Sequence, residues 1–129
     1  MNPLCVLVAQ GDAPALEREL LGATHTPQQL LEALFAAILA GNDAMVRVLL
    51  ANDANPNGRV ANNPMSPLMT AIGGGHTGIS RQLVVYGARL DDELAGVSLK
   101  QFADEAGYSA LYTELEETHR DLQSRRRFF

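Results

Sequence analysis

Cysteine, aromatic side chains and positive charge are all scarce in this sequence. The one cysteine, Cys5, cannot form a disulfide within the chain and cannot alone supply the clustered ligands of a structural zinc site. Fifteen acidic and ten basic side chains give a formal net charge of −5, the wrong sign for binding a phosphate backbone. We therefore expect no metal, no cofactor and no nucleic-acid partner.

Long apolar runs are missing as well. The nearest, Leu30 to Ala40, is interrupted by Glu32 and is shorter than the roughly 18 apolar residues that a membrane-spanning helix needs. No lysine or arginine precedes Arg18, so the start lacks the basic region of a secretory signal. Because a single free cysteine also fits a reducing compartment, we expect a cytoplasmic protein without a membrane partner.

What the sequence does contain is a series of short helical patterns. Hydrophobic residues make up 47% of the 129 positions and charged residues 19%, proportions typical of one globular domain. The apolar residues recur at helical spacing over segments of about 8 to 14 residues, separated by Gly, Asn, Asp and Pro. No stretch alternates convincingly at period two, so the predicted fold class is all-α.

The helix boundaries predict four helical pairs. Thr26, followed by Pro27 and then Gln29, has the pattern of a capping box that begins a helix extending to about Ala40, the longest one predicted. Glycines at positions 11, 41, 75 and 107 fall at the turns within the pairs, with spacings of 30, 34 and 32 residues. Such a period indicates stacked repeats, because each pair is too small to bury its own apolar face.

With this register the chain resembles the ankyrin repeat family, which often carries the motif Thr-Pro-Leu-His-x-Ala. Residues 66–71 are Ser-Pro-Leu-Met-Thr-Ala, in which Met69 takes the place of the motif histidine. Gly75-His76 matches the family's Gly-His turn, and 83–88 resemble its Leu-Leu-Leu-x-x-Gly-Ala ending. Asp53 stands where the family has a glycine, and aspartate can still adopt the left-handed conformation there.

The resemblance implies a helical-hairpin solenoid of about four units that binds other proteins through loop fingers and the concave face of its inner helices. It covers residues 2–122 or so, and we predict one repeat domain over 1–122 with a disordered basic and aromatic tail over 123–129. The resemblance also implies a structural hydrogen-bonding role for the His76 side chain.

The predicted fingers supply most of the candidate binding residues, because recognition residues lie preferentially on loops that a rigid scaffold holds. The loop from Asn52 to Asn63 contains the tight-turn dipeptide Asn57-Gly58 and should project into solvent. The predicted partner-binding residues are Arg59, Asn62, Asn63 and Met65 on the first finger, Asp91, Asp92 and Glu93 on the second, and Met69, Gly73 and Gly74 on an inner helix.

Each of these groups also has a plainer interpretation. Either finger could be an ordinary solvated loop, although three adjacent carboxylates on a chain of charge −5 would also steer a basic partner. Gly73 and Gly74 would allow a partner to approach closely, or they simply end the helix early, which we favour.

Catalytic interpretations are weaker. The segment Gly73–Gly78 satisfies G-x-G-x-x-G, with Glu93 near the position of a ribose-binding acid, but a dinucleotide site needs a preceding strand and Ser66-Pro67 predicts a helix start. Cys5, His25 and His119 fall in different units, too far apart for a nucleophile and its bases. We expect no enzyme.

These observations favour a small stoichiometric inhibitor that masks a partner protein's surface, similar to ankyrin-type immunity proteins that neutralise toxins. Because the predicted repeats take up nearly all of the 129 residues, we expect no effector domain. The alternative is an adaptor that joins two proteins. We expect a basic partner, a toxin or an enzyme, and a monomer or weak homodimer.

Overall fold

The computed structural model describes residues 2–61 and 63–127, and in that part the chain forms eight helices and one two-stranded hairpin. The elements are α1 (Pro3–Gln10), α2 (Ala13–Gly22), α3 (Pro27–Leu39), α4 (Asp43–Ala51), α5 (Pro67–Gly73), α6 (Thr77–Val85), β1 (Glu93–Leu94), β2 (Val97–Ser98), α7 (Leu99–Ala106) and α8 (Ser109–Arg127).

The helices pack as pairs in two layers. α1, α3, α5 and α7 follow one another in the inner layer, and α2, α4, α6 and α8 do so in the outer layer. Each inner helix also packs on the outer helix that follows it in sequence. This arrangement is a short solenoid and confirms the predicted all-α class. The two strands form a tiny antiparallel hairpin, in which Glu93 pairs with Ser98 and Leu94 with Val97.

Side-chain caps explain why such short helices start where they do. The Thr26 hydroxyl accepts from the Gln29 N–H at 3.1 Å, and the Gln29 side chain accepts from the Thr26 N–H at 2.9 Å, which confirms the predicted capping box. Five more N-cap side chains accept a hydrogen bond from the first turn of their helix, those of Asn2, Asp12, Asn42, Ser66 and Ser98. Each cap stabilises its helix by about 1 kcal/mol.

The hydrophobic core lies between the two layers and runs through all four pairs. Its largest fully buried side chains are Leu4, Leu16, Leu34, Ile38, Met45, Leu49, Leu68, Met69, Ile72, Ile79, Leu83 and Leu99. Met69 therefore cannot contact a partner, and its prediction as a binding residue is wrong. Its side chain fills the interior between α5 and its neighbours, where a flexible thioether packs readily.

The first finger, residues 52–66 between α4 and α5, lies closer to the repeats than predicted. Its turn runs from Asn55 to Gly58, closed by the Gly58 N–H donating to the Asn55 carbonyl at 3.3 Å. A Cβ at Gly58 would lie 2.6 Å from Leu31 Cδ2, so this part of the finger packs onto α3. Asp53 adopts φ of 74°, as predicted for a position where the family has glycine.

The last helix is longer than predicted. Disorder was predicted from residue 123 onward, whereas α8 continues to Arg127 and is, with 19 residues, longer than the 13-residue α3. The tail predicted as disordered is therefore helical through residue 127. No Gly or Pro follows Gly107, and glutamine and arginine are good helix formers, so nothing local stops the helix. Phe128 and Phe129 lie outside the described residues, and a domain boundary at 122 stays a prediction.

Candidate partner-binding surface

The two fingers are joined to each other by an ion pair. The second finger, residues 86–98 between α6 and α7, carries Asp92, whose Oδ2 pairs with Nη2 of Arg59 on the first finger. The two residues are 33 positions apart, one repeat, so the contact depends on the stacking of the repeats. Arg59 was predicted to meet a partner protein, but in the structure its guanidinium is already engaged within the chain.

A second link between the fingers comes from the side-chain amide of Asn57. Its Nδ2 donates to the Gly87 carbonyl at 2.9 Å, and its Oδ1 accepts from the Arg89 N–H at 2.8 Å. Both halves of the amide are satisfied by backbone of the next finger, much as a strand neighbour would satisfy them. The ion pair and the amide together hold the fingers side by side.

The acidic run on the second finger is largely paired. Asp91 accepts from the Arg89 guanidinium at 3.2 and 3.4 Å, and this hydrogen bond and charge lower the pKa of the Asp91 carboxyl. Oδ2 of Asp92 pairs with the Arg59 guanidinium, and Oδ1 accepts a hydrogen bond from the Glu93 N–H at 3.1 Å. Two of the three carboxylates thus have an arginine partner, and Glu93 is exposed on β1. This local compensation weakens the long-range attraction predicted for a basic protein.

The remaining residues predicted on the first finger are used locally. Asn63 accepts the Met65 N–H on its side-chain oxygen at 3.1 Å, which shapes the approach to α5. Met65 is half-buried and packs against the core. Asn62 lies outside the described residues.

Gly73 and Gly74 are exposed, and the chain itself fills the space in front of them. Gly73 is the last residue of α5 and Gly74 its C-cap, so the helix ends early, as favoured above. A Cβ at Gly73 would lie 3.3 Å from Cζ of Phe102, and one at Gly74 would lie 2.8 Å from the His76 ring. The rings of Phe102 and His76 therefore explain why these two positions are glycine, without contact from a partner protein.

The G-x-G-x-x-G segment does not have the surroundings of a phosphate loop. It joins α5 to α6, and both are helices, whereas a dinucleotide loop follows a strand. A Cβ at Gly78 would lie 2.7 Å from Oδ2 of Asp43, so a carboxylate faces this glycine and would repel a phosphate. His76 is the N-cap of α6 without a side-chain capping bond, and its ring packs against glycines, although the resemblance implied a structural hydrogen-bonding role for this side chain.

The feature that the sequence analysis missed is an apolar groove on the inner layer. The α1–α3 groove has a volume of about 430 Å³ and is lined by Cys5, Gln28, Glu32, Phe35, Ala36, Leu39, Val60 and Ala61. Leu39 is 72% exposed. Gln28, Glu32, Ala36 and Leu39 follow one another at three or four residue intervals on α3, so a helical wheel of this segment would have shown the stripe.

Glu32 is the one charged side chain among the groove-lining residues. It is exposed, and no ion pair to it occurs in the part of the chain that the structure describes. Burial, and then the Glu32 carboxylate, raise the pKa of the Cys5 thiol on the facing helix α1. The groove therefore combines an apolar floor with one unpaired negative charge.

A larger groove lies on the outer layer, between the second finger and α8. It has a volume of about 570 Å³ and is lined by Arg89, Leu90, Asp91, Tyr112, Glu116, His119, Arg120 and Gln123. Acidic and basic side chains both line this groove, so it does not present a surface of one charge to a partner. Burial, and then Glu116 and Asp104, raise the pKa of the Tyr112 hydroxyl, and His119 contacts Gln123 at 3.0 Å.

The ankyrin repeat family model matches residues 4–93 as three copies. The match covers more than half of the chain, and the chain belongs to the ankyrin repeat family. Among the curated proteins compared with the sequence, none matches. α7 and α8 lie beyond the matched range and stack as a fourth helical pair on the third. Membership in this family makes the protein a protein–protein interaction module, with other proteins as partners.

Two further findings concern other kinds of site. Across the described ranges no helix is long and apolar enough to cross a membrane. Over the same residues, no three His, Cys, Asp or Glu side chains come together as metal ligands would.

Proposed function

We propose that this ankyrin-repeat protein is a stoichiometric inhibitor of immunity type, which masks the active surface of one partner protein and catalyses no reaction itself. It acts in the cytoplasm, as a monomer or a weak homodimer. The observation that carries the proposal is the α1–α3 groove, where the side chain of Leu39, 72% exposed, lies on the inner layer beside the first finger. An exposed apolar patch rimmed by polar side chains is a typical mark of a protein-interaction surface.

Rigidity supports the proposal. The first finger, which supplies Val60 and Ala61 to the groove, is fixed to the second finger through Asn57 and Arg59. A surface whose loops are held in place loses little conformational entropy on binding. This favours tight association with one partner, as steric inhibition requires.

A basic partner remains part of the proposal, but for a different reason from the acidic run. The net charge of −5 and the unpaired carboxylate of Glu32 in the groove both attract a cationic surface. Asp91 and Asp92 contribute less, because each has an arginine partner.

An adaptor that joins two proteins is the second candidate. It is favoured by exposed apolar side chains in the outer layer, at the end of α6, where Val85 is 52% and Tyr86 is 43% exposed. These residues belong to the layer opposite the α1–α3 groove, so a second protein would have its own contact area there.

The test starts with capture of the tagged protein's partners from the source cells, followed by titration of the captured protein's activity. Leu39→Asp should weaken the complex at least about tenfold, because the carboxylate enters an apolar anchor site. Leu21→Asp is the matched control, since Leu21 is 76% exposed on the outer helix α2. Both variants should melt as the parent protein does.

If the protein is an inhibitor, it abolishes its partner's activity at one-to-one stoichiometry. Leu39→Asp then removes this inhibition, and Leu21→Asp does not. If the protein is an adaptor, two partner proteins are captured with it. Leu39→Asp abolishes capture of one of them, and Tyr86→Lys abolishes capture of the other. A complex that neither Leu39→Asp nor Tyr86→Lys weakens would contradict both candidates.

A further inference from the structure

The α1–α3 groove has the chemistry of a site for a particular kind of protein segment. Its apolar wall comes from Phe35, Ala36 and Leu39 on α3 and from Val60 on the first finger. At the same wall, one turn from Ala36, stands the carboxylate of Glu32. A site of this kind recognises an apolar side chain and a cation that lie close together.

We propose that the α1–α3 groove binds a segment of a partner protein that inserts a leucine- or phenylalanine-type side chain against Leu39 and pairs a neighbouring lysine or arginine with Glu32. The inference rests on the proposed function, since it specifies the partner's chemistry at the same inner surface. It moves the charge recognition from the acidic run of the second finger to α3.

Charge complementarity supports a cationic occupant. The fingers' own arginines are engaged, because Arg59 pairs with Asp92 and Arg89 with Asp91. Within the described ranges Glu32 has no such pair, and no basic residue lines the groove. An anionic or purely polar segment would therefore meet either repulsion from Glu32 or an apolar wall that offers it no hydrogen bonds.

The shape of the wall supports the apolar part. Leu39 leaves 72% of its surface in water, although the other large apolar residues of α3, Leu30, Leu31, Leu34, Phe35 and Ile38, are buried. Covering such a side chain is favourable, because apolar surface is removed from water. A leucine- or phenylalanine-type side chain would cover Leu39, while a cation next to it pairs with the exposed Glu32 carboxylate.

The proposal can be tested without the natural partner, by NMR on the isotopically labelled full chain. The probes are three synthetic peptides of equal length, one of Leu and Lys, one with Glu in place of every Lys, and one with Ser in place of every Leu. At peptide concentrations up to about 1 mM, the Leu-Lys peptide should shift the amide signals of Glu32, Ala36, Leu39 and Val60. The other two peptides should leave these signals in place.

Two variants separate the Glu32 contact from general attraction to an acidic protein. Glu32→Gln should lower the affinity for the Leu-Lys peptide roughly five-fold, which is the effect of losing one partly exposed charge pair. Glu117→Gln removes the same charge from an exposed position on α8 and should change the affinity less than about two-fold.

Three results would overturn the inference. These are equal binding of the Leu-Glu peptide, equal losses in the two variants, or no shift of the groove signals by the Leu-Lys peptide. Groove signals that move with protein concentration alone would show that a second copy occupies the groove. If the peptides fail but Leu39→Asp still abolishes the natural complex, the proposed function stands and only the partner's chemistry is wrong.

Discussion

The imidazole ring of His76 lies against Gly41, the turn glycine of the preceding repeat, so that a Cβ at residue 41 would stand 3.0 Å from the ring's Cε1. The same relationship recurs one repeat later, where a Cβ at Gly75 would lie 2.6 Å from the hydroxyl oxygen of Tyr108. In both places the residue after one turn glycine covers the glycine of the repeat before it. The turns therefore contribute to the interface between repeats as well as to the helical pairs.

Gly41→Ala should destabilise the protein for two reasons. The backbone at residue 41 has φ of 67°, and this conformation costs a residue with a Cβ about 1 to 2 kcal/mol. The added methyl group must also displace the His76 ring. Gly11→Ala is the matched control, because Gly11 has φ of 72° and nothing within 4 Å of its Cβ position. Urea unfolding should give the larger loss for Gly41→Ala, and equal losses would show that the ring gives way freely.

Asn57→Ala should loosen the attachment between the fingers. The substitution removes the hydrogen bonds to Gly87 and Arg89, and these partly exposed bonds contribute about 1 kcal/mol each. We expect a loss of about 1 to 2 kcal/mol in the free energy of unfolding by urea. Asn55→Ala serves as the control, since its described side-chain bond, with the Asn57 N–H at 2.9 Å, stays within the first finger. An equal effect of the two substitutions would argue against the amide as an inter-finger link.

The ion pair between α6 and α8 should appear in the acid titration of Glu114. The Arg81 guanidinium donates to both carboxylate oxygens, at 2.8 and 3.0 Å, and this lowers the pKa of Glu114. The pair's contribution to stability is thus present above the ordinary glutamate pKa of about 4.3 and is lost as the pH falls through the lowered value.

NMR titration of the side-chain carboxyl carbons measures this directly. In Arg81→Gln the pKa of Glu114 should rise toward its ordinary value. A Glu114 pKa that does not change in Arg81→Gln would mean that the pair is not formed in solution.

The reactivity of Cys5 reports on the position of Glu32. Because the Glu32 carboxylate helps to raise the thiol pKa, Glu32→Gln should lower that pKa and accelerate alkylation at a fixed mildly alkaline pH. The acceleration should be less than about tenfold, since burial is the larger cause of the shift. The rate of iodoacetamide labelling as a function of pH checks this.

Glu117→Gln again provides the comparison, because it removes the same charge from an exposed position on α8. If Cys5 is labelled at the parent rate in both Glu32→Gln and Glu117→Gln, the Glu32 carboxylate does not face Cys5 and the description of the groove is wrong.

Local sequence signals were sufficient for most of the helical framework. Caps and turn formers depend on neighbours within a few residues, so Thr26 with Gln29, and Asp53 with its positive φ, could be predicted without knowledge of the fold. The end of α8 could not, because no stop signal follows Gly107 and the basic and aromatic segment after residue 122 was predicted to be disordered.

The binding surface was harder to predict, since it depends on contacts between residues about one repeat apart. Arg59 and Asp92 each looked like a free charge in the sequence, and only the stacking of the repeats pairs them. Met69 was predicted as a binding residue on an inner helix, but α5 turns its side chain into the core. The stripe from Glu32 to Leu39 was present in the helical periodicity, yet an exposed leucine cannot be told from a buried one without the neighbouring layers.

The sequence by itself therefore determined the helical repeat, its period and its caps, because these follow from hydrogen bonding and apolar spacing over a few residues. Which charges are paired, which apolar side chains remain in water, and where a groove opens were decided by the tertiary structure alone. Those properties arise mainly from packing between the α1–α3–α5–α7 layer, the outer layer and the fingers, where partners such as Arg59 and Asp92 lie one repeat apart along the chain.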